Sequence, residues 1–132
     1  MTNGRVKGAA FERETAKAFM SALNIDDVKR DLEQYREGDH GDLIGIDGWV
    51  IECKRYKHGP IGGREEWWQQ AVAAANRIGG SQPALVFKYD RQPVQCRVLL
   101  SSIHASYMEK EDTAIVSFDT LCMLIREDWA GV

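Results

Sequence analysis

The sequence predicts an α/β fold, a central mixed β-sheet flanked by helices. Three observations carry this expectation. Residues 3–23 hold an apolar arc of helical period, with Ala9, Ala16, Phe19 and Leu23 on one side. Two short apolar segments around Asp47-Gly48 alternate in the manner of a half-buried hairpin. Residues 64–78 form a second helical stretch that places Trp67, Ala71, Ala74, Ala75 and Ile78 on one face, and its alanines allow close packing on a sheet.

A chain of 132 residues, 44% hydrophobic and 28% charged, suits a single domain spanning 1–132 with one real core. No apolar run approaches membrane-spanning length, and the first residues lack the apolar centre of a signal peptide. Cys53, Cys96 and Cys122 are odd in number and show no CxxC spacing, which excludes a disulfide framework and structural zinc and points to a cytoplasmic home. The net charge of −3 argues against a protein that holds nucleic acid by bulk positive charge. The first 64 residues, however, carry eleven acids and eleven bases, so a divalent metal seated on three of those acids would leave that half positive.

In chain order, the first helix has Thr2 or Asn3 as its cap. Glu12 falls inside its apolar arc, whereas Glu14 falls almost opposite, beside Lys7 and Lys17. A carboxylate inside a buried stripe needs compensation. It is either a rim acid paired with Arg5 or Arg13, or a metal ligand aimed at the sheet. A short strand is expected over Val28–Leu32, then a polar, glycine-bearing loop over 34–41. In that loop Asp39 and His40 are either solvated or functional.

The hairpin follows. In its second strand Trp49, Ile51 and Cys53 share one side, and Val50, Glu52 and Lys54 the other. A two-residue Asp47-Gly48 loop would turn Asp42 away from Glu52. A three-residue loop, Ile46-Asp47-Gly48 with Gly48 left-handed, brings Asp42 to face Glu52 and sets Leu43 beside Ile51. The second register separates polar from apolar side chains more cleanly, and it gathers Asp42, Glu52 and Lys54 on one spot.

Residues 55–63 hold three bases, an aromatic and three glycines. They read as a mobile, phosphate-friendly loop or as an ordinary surface loop. In the helix that follows, Gln70 sits at the edge of the apolar face, and Trp67 and Trp68 read as packing rather than base-stacking platforms. Gly79-Gly80 ends it. Strands over 83–89 and 94–100 flank a turn at 90–93. A short helix capped by Ser101 or Ser102 then runs to about Lys110, followed by a strand over 113–117. The last helix, from 118 or 119 to 128, has a Leu121, Leu124, Ile125 stripe with Trp129 beyond, which is either core or a dimer surface.

The chemistry at the hairpin is that of hard oxygen ligands, which suit Mg²⁺ or Mn²⁺ rather than zinc. Such an ion polarises a phosphoryl oxygen and acidifies bound water, and Lys54 could orient that water or offset charge at phosphorus. The chain holds no nucleophile–base triad, P-loop or dinucleotide fingerprint.

Asp42, nine residues, then Glu52-Cys53-Lys54 resembles the PD-(D/E)XK nuclease motif. The stretch Lys7-Gly8-Ala9-Ala10-Phe11-Glu12-Arg13-Glu14 resembles the first helix of archaeal and phage Holliday-junction resolvases in that superfamily. The order of helix, hairpin, helix and further strands is similar to the restriction-endonuclease-like core. The resemblance covers roughly residues 5–78. It departs at Gly41, where proline is usual, and at Asp39-His40, where a loop serine is expected. It implies a Mg²⁺-dependent phosphodiesterase acting on branched DNA as a homodimer. Glu12, Asp42, Glu52 and the backbone carbonyl of Cys53 would be metal ligands, with Lys54 as the catalytic lysine. Lys7, Arg13, Arg55 and Lys57 would contact DNA, and Gln70 would be auxiliary. Another nuclease on the same core, of repair, restriction or nicking type, and a non-enzymatic DNA-binding module are the alternatives.

Overall fold

The computed structural model describes residues 4–32, 42–107 and 112–130. The elements run α1 (Gly4–Leu23), β1 (Lys29–Arg30), β2 (Leu43–Ile44), β3 (Trp49–Tyr56), α2 (Glu65–Ile78), β4 (Gln82–Tyr89), β5 (Gln95–Leu99), α3 (Leu100–Ile103), β6 (Thr113–Ser117) and α4 (Phe118–Ala130). The strands form one sheet in the order β1-β2-β3-β4-β5-β6. β3 and β4 are parallel, joined across α2, and every other neighbouring pair is antiparallel. This is the mixed, helix-flanked sheet that the alternating and helical periods predict.

The two faces are covered differently. On one, Phe11, Phe19 and Leu23 of α1 and Leu121 and Ile125 of α4 pack on Trp49, Ile51, Val86 and Val98. The last-helix stripe is therefore core. On the other face Trp67, Trp68 and Ala71 of α2 lie on Leu85, Phe87 and Tyr89. Val50 meets Ala74 and Ala75, where two alanines let helix and strand close together. Both tryptophans are buried, at 5% and 3% exposure, which settles them as packing. β3 is thus central and covered on both sides, rather than half-buried as its alternation suggests.

The hairpin adopts the three-residue loop. Leu43 pairs with Ile51. Trp49 N–H closes on the Ile46 carbonyl at 3.2 Å, and Gly48 has φ +80°, which glycine adopts without strain. Trp129 of α4 donates its indole N–H to the Asp47 carbonyl at 2.9 Å, pinning the turn from the far end of the chain.

Four expectations change. β1 spans only Lys29–Arg30, because its partner β2 offers two residues to pair with. Ile78 is 53% exposed. Val50, near the start of β3, already meets Ala74 and Ala75, so the last turn of α2 overhangs the sheet. α3 ends at Ile103, where His104 turns extended and its ring accepts the Ser106 N–H at 3.1 Å, a local bond that competes with helix. Leu99, not a serine, stands at its N-cap.

The fourth concerns 55–63. Arg55 and Tyr56 complete β3, and two hydrogen bonds tie the rest to the end of β4. Tyr89 donates its hydroxyl to the Pro60 carbonyl at 2.7 Å, and Asp90 donates its N–H to the Lys57 carbonyl at 3.1 Å. A Cβ on Gly59 would lie 2.5–2.7 Å from the Tyr89 ring and hydroxyl. That ring is held between Phe87 and Trp67 and has no room to yield. Gly59→Ala should therefore destabilise the fold by about 1–3 kcal/mol through overpacking. Urea unfolding measures this, and a midpoint equal to wild type would show that the loop gives way freely.

Candidate active site

The site lies at the start of β2, where, among the described residues, the pairing of β2 with β3 stops. Asp42 is the last described residue before β2. Its N–H donates to the Ile51 carbonyl at 2.8 Å, and its carboxylate accepts the Cys53 N–H at 2.6 Å. Asp42 therefore caps this edge of β3 with both backbone and side chain. The N–H and C=O of one strand residue point the same way, so the Cys53 carbonyl is aimed to the side where the Asp42 carboxylate stands.

Glu52 is opposite Asp42, and the two carboxyls are within hydrogen-bonding reach. Asp42 is 5% exposed and Glu52 9%. Burial first, and then the Glu52 charge, push the Asp42 carboxyl up to about 9. Burial also raises Glu52, while Lys54, with Nζ 3.6 Å from its carboxylate, pulls the other way. Without a cation the pair holds a proton.

Glu12 is 7% exposed, inside the helix stripe as its position on the wheel requires, and Glu14 is exposed. The partner that the structure shows for Glu12 is Arg30 of β1, whose Nε lies 2.6 Å from its carboxylate, whereas Arg13 is exposed and the Arg5 side chain lies outside the described ones. Glu12 is still near enough for its charge to raise both Asp42 and Glu52. Sequence reasoning missed Arg30. The signal was the unpaired acid itself, which demands a cation from a neighbouring element.

The remaining candidates separate. Lys7 and Arg55 meet at Asp90, at 3.0 Å and 2.7 Å, a shared partner that no local pattern announces across 83 residues. Arg13 and Lys57 are exposed. Gln70 is exposed in a groove on the outer side of α2 with Glu65, Glu66 and Gln69. Asp39, His40 and the 34–41 loop lie outside the described residues, as do Thr2, Asn3 and residues 108–111. The Cys53 thiol is buried beside Thr15, and burial with the nearby acids raises it well above the usual thiol range, so it is no nucleophile.

The donor set fits a hard divalent ion. Two buried carboxyls share a proton that such an ion would replace, and a backbone carbonyl is aimed to the same side. Magnesium is commonly held by one or two carboxylates with waters completing the shell. Among the described residues no three His, Cys, Asp or Glu side chains stand as one metal-binding group, and Glu12 is engaged by Arg30. Among the same residues no helix is long and apolar enough to cross a membrane.

Comparison with known proteins bears on the family and the fold. Residues 3–125 match the family described as "Phage putative PDDEXK endonuclease". A solved structure of Archaeoglobus fulgidus Hjc, a Holliday junction resolvase from an archaeal hyperthermophile, superposes with a TM-score of 0.59 at 16% identity. The match covers 88% of this chain and 98% of that one, and it bears out the restriction-endonuclease-like fold. No curated protein matches the chain.

Proposed function

Because the chain belongs to the phage PDDEXK endonuclease family, we propose that it is a Mg²⁺-dependent, structure-specific DNA endonuclease that resolves four-way junctions as a homodimer, each subunit hydrolysing one phosphodiester. The observation that carries the metal and the chemistry is the buried Asp42–Glu52 pair with Lys54 beside it. The junction substrate draws support from the Lys7–Glu14 pattern on α1 and from the likeness in fold to the archaeal resolvase.

Asp42, Glu52, the Cys53 carbonyl and Glu12 would hold the ion in this reading, with Glu12 available to it only when free of Arg30. Mn²⁺ should substitute for Mg²⁺. When bound, the ion supplies Lewis acidity toward a phosphoryl oxygen and an acidified water. Lys54 places a positive charge beside Glu52, where it orients the attacking water and offsets charge building on the phosphate. The apolar packing of β3 excludes bulk water from behind the carboxylates, which strengthens each of these interactions. Lys7, Arg13, Arg55 and Lys57 contact DNA phosphates, and Gln70 is auxiliary.

The test is cleavage of a labelled four-way junction and of its linear duplex arms, with Mg²⁺ and with EDTA, by wild type and by Glu52→Ala. Paired symmetric nicks on the junction alone, lost in EDTA and in the variant, are expected. Equal cutting of linear duplex would leave a nuclease of repair, restriction or nicking type. No cutting by a folded protein would favour a DNA-binding module.

A further inference from the structure

The Lys7–Asp90–Arg55 cluster has a geometry that salt-bridge pairing alone does not require. Lys7 comes from α1, Arg55 from the end of β3, and Asp90 from the residue just past β4. Both cations converge on the same oxygen, Oδ1 of Asp90, at 3.0 Å and 2.7 Å. The two cations are the more buried members, at 26% and 17% side-chain exposure, and the acid is the more open one at 38%. Arg55 keeps a second hold, donating to the Tyr56 carbonyl at 2.7 Å, so its place does not depend on Asp90. Asp90 is itself fixed through its N–H to the Lys57 carbonyl.

Two positive groups from two elements thus line a solvent-facing notch, and one carboxylate oxygen fills it. A phosphodiester oxygen carries the same charge and accepts the same two donors. Lys7 lies five residues before Glu12 on α1, about 7.5 Å along its axis and on the Glu14 side of the helix, and Arg55 follows Lys54 on β3 with its side chain on the Cys53 side. The notch therefore lies near the C-terminal end of β3, about 10 Å along the strand from Glu52, where a neighbouring phosphate of a strand bound at the site could reach it.

We propose that Asp90 is an internal stand-in for a DNA phosphate: it occupies the Lys7–Arg55 anion site in the free protein and is displaced when a strand enters. This rests on the nuclease reading above. The consequence is selectivity. A contact with DNA that is too poor to fill the notch well gains nothing there, because the cations are already satisfied. A strand that delivers a phosphate into the notch exchanges one anion for another and releases the carboxylate to water.

The experiment is equilibrium binding of a fluorescent duplex and a four-way junction in EDTA, over a range of salt, for wild type, Asp90→Asn, Arg55→Ala, the double variant, and Glu127→Gln as a control for net charge. Asp90→Asn should bind three- to tenfold more tightly at low salt. The slope of log K against log salt should steepen by about one, as one more counterion is released. The gain should vanish in the Arg55→Ala background and exceed that of Glu127→Gln. Thermal melts establish that each variant is folded. Weaker or unchanged binding by Asp90→Asn, beside a wild type that binds and cuts DNA, would overturn the stand-in alone. A gain that persists without Arg55 would overturn it too. A wild type that neither binds nor cuts DNA would overturn both this and the nuclease reading.

Discussion

Replacing Asp42 with asparagine should lower DNA cleavage by about a hundredfold or more, the usual scale when a preorganised charge is removed from a catalytic site. Asparagine keeps an oxygen to accept the Cys53 N–H, so the cap on β3 survives. What goes is a carboxyl that the metal-free fold keeps protonated beside Glu52. In EDTA, above the ordinary carboxylate range, the variant should therefore melt above wild type, because wild type must take up a proton to fold and asparagine need not. Glu14→Gln on the exposed side of α1 should change stability by less than about 0.5 kcal/mol and leave cleavage alone. Single-turnover cleavage and thermal melts in parallel measure all of this. An Asp42→Asn protein that cuts at the wild-type rate would remove Asp42 from the site.

The second large effect is the pH dependence of the metal-free fold. The Asp42 carboxyl sits at about 9 in the folded chain, far above its ordinary value, and Glu52 is raised as well. Across that window the folded state keeps a proton that the unfolded chain has released. The stabilising contribution is therefore complete below the ordinary carboxylate range and is lost as pH rises toward about 9. The loss can reach about 1.4 kcal/mol per pH unit for each proton retained. Asp90 acts in the opposite sense but lower down. Its hydrogen bonds from Lys7 and Arg55 hold it at about 2, so its contribution is present above the ordinary carboxylate value and lost as pH falls through about 2. In EDTA, then, stability should decline from pH 5 toward pH 9. Mg²⁺ should reverse the trend, because it binds the folded state and displaces the shared proton more easily at higher pH. Melting temperatures across pH, with EDTA and with Mg²⁺, test this. A flat metal-free profile would mean that the two carboxyls are better solvated than the fold implies.

The parts of this architecture that local pattern determines were legible in advance. Alternation along 49–54 placed Glu52 and Lys54 together, and the parity of the Ile46-Asp47-Gly48 loop brought Asp42 opposite Glu52. The helical wheel separated Glu12 from Glu14. Those inferences need only periods of two and of 3.6. Arg30 and Asp90 were not legible. Their partners lie 18 and 83 residues away, and the contact exists only once α1 has crossed the sheet. Ile78 misled for a related reason: its helix face was correct, but how far the sheet extends beneath that face is a tertiary quantity. The Tyr89–Pro60 bond likewise orders a stretch whose glycines suggested freedom.

The parallel pairing of β3 with β4 delays assembly of the site during synthesis. Glu12, Asp42, Glu52 and Lys54 all belong to the part of the chain made before β4. The support that holds them does not: β3 is flanked by β4 at residues 82–89, and the core behind it includes Leu121 and Ile125. Pairing across so long a connection is slow and cooperative. A nascent chain thus carries the side chains of the candidate site well before it can hold them in place. Cutting ability should appear only once β4 and α4 have been added, so shorter ribosome-bound fragments pose no threat to the nucleic acid around them.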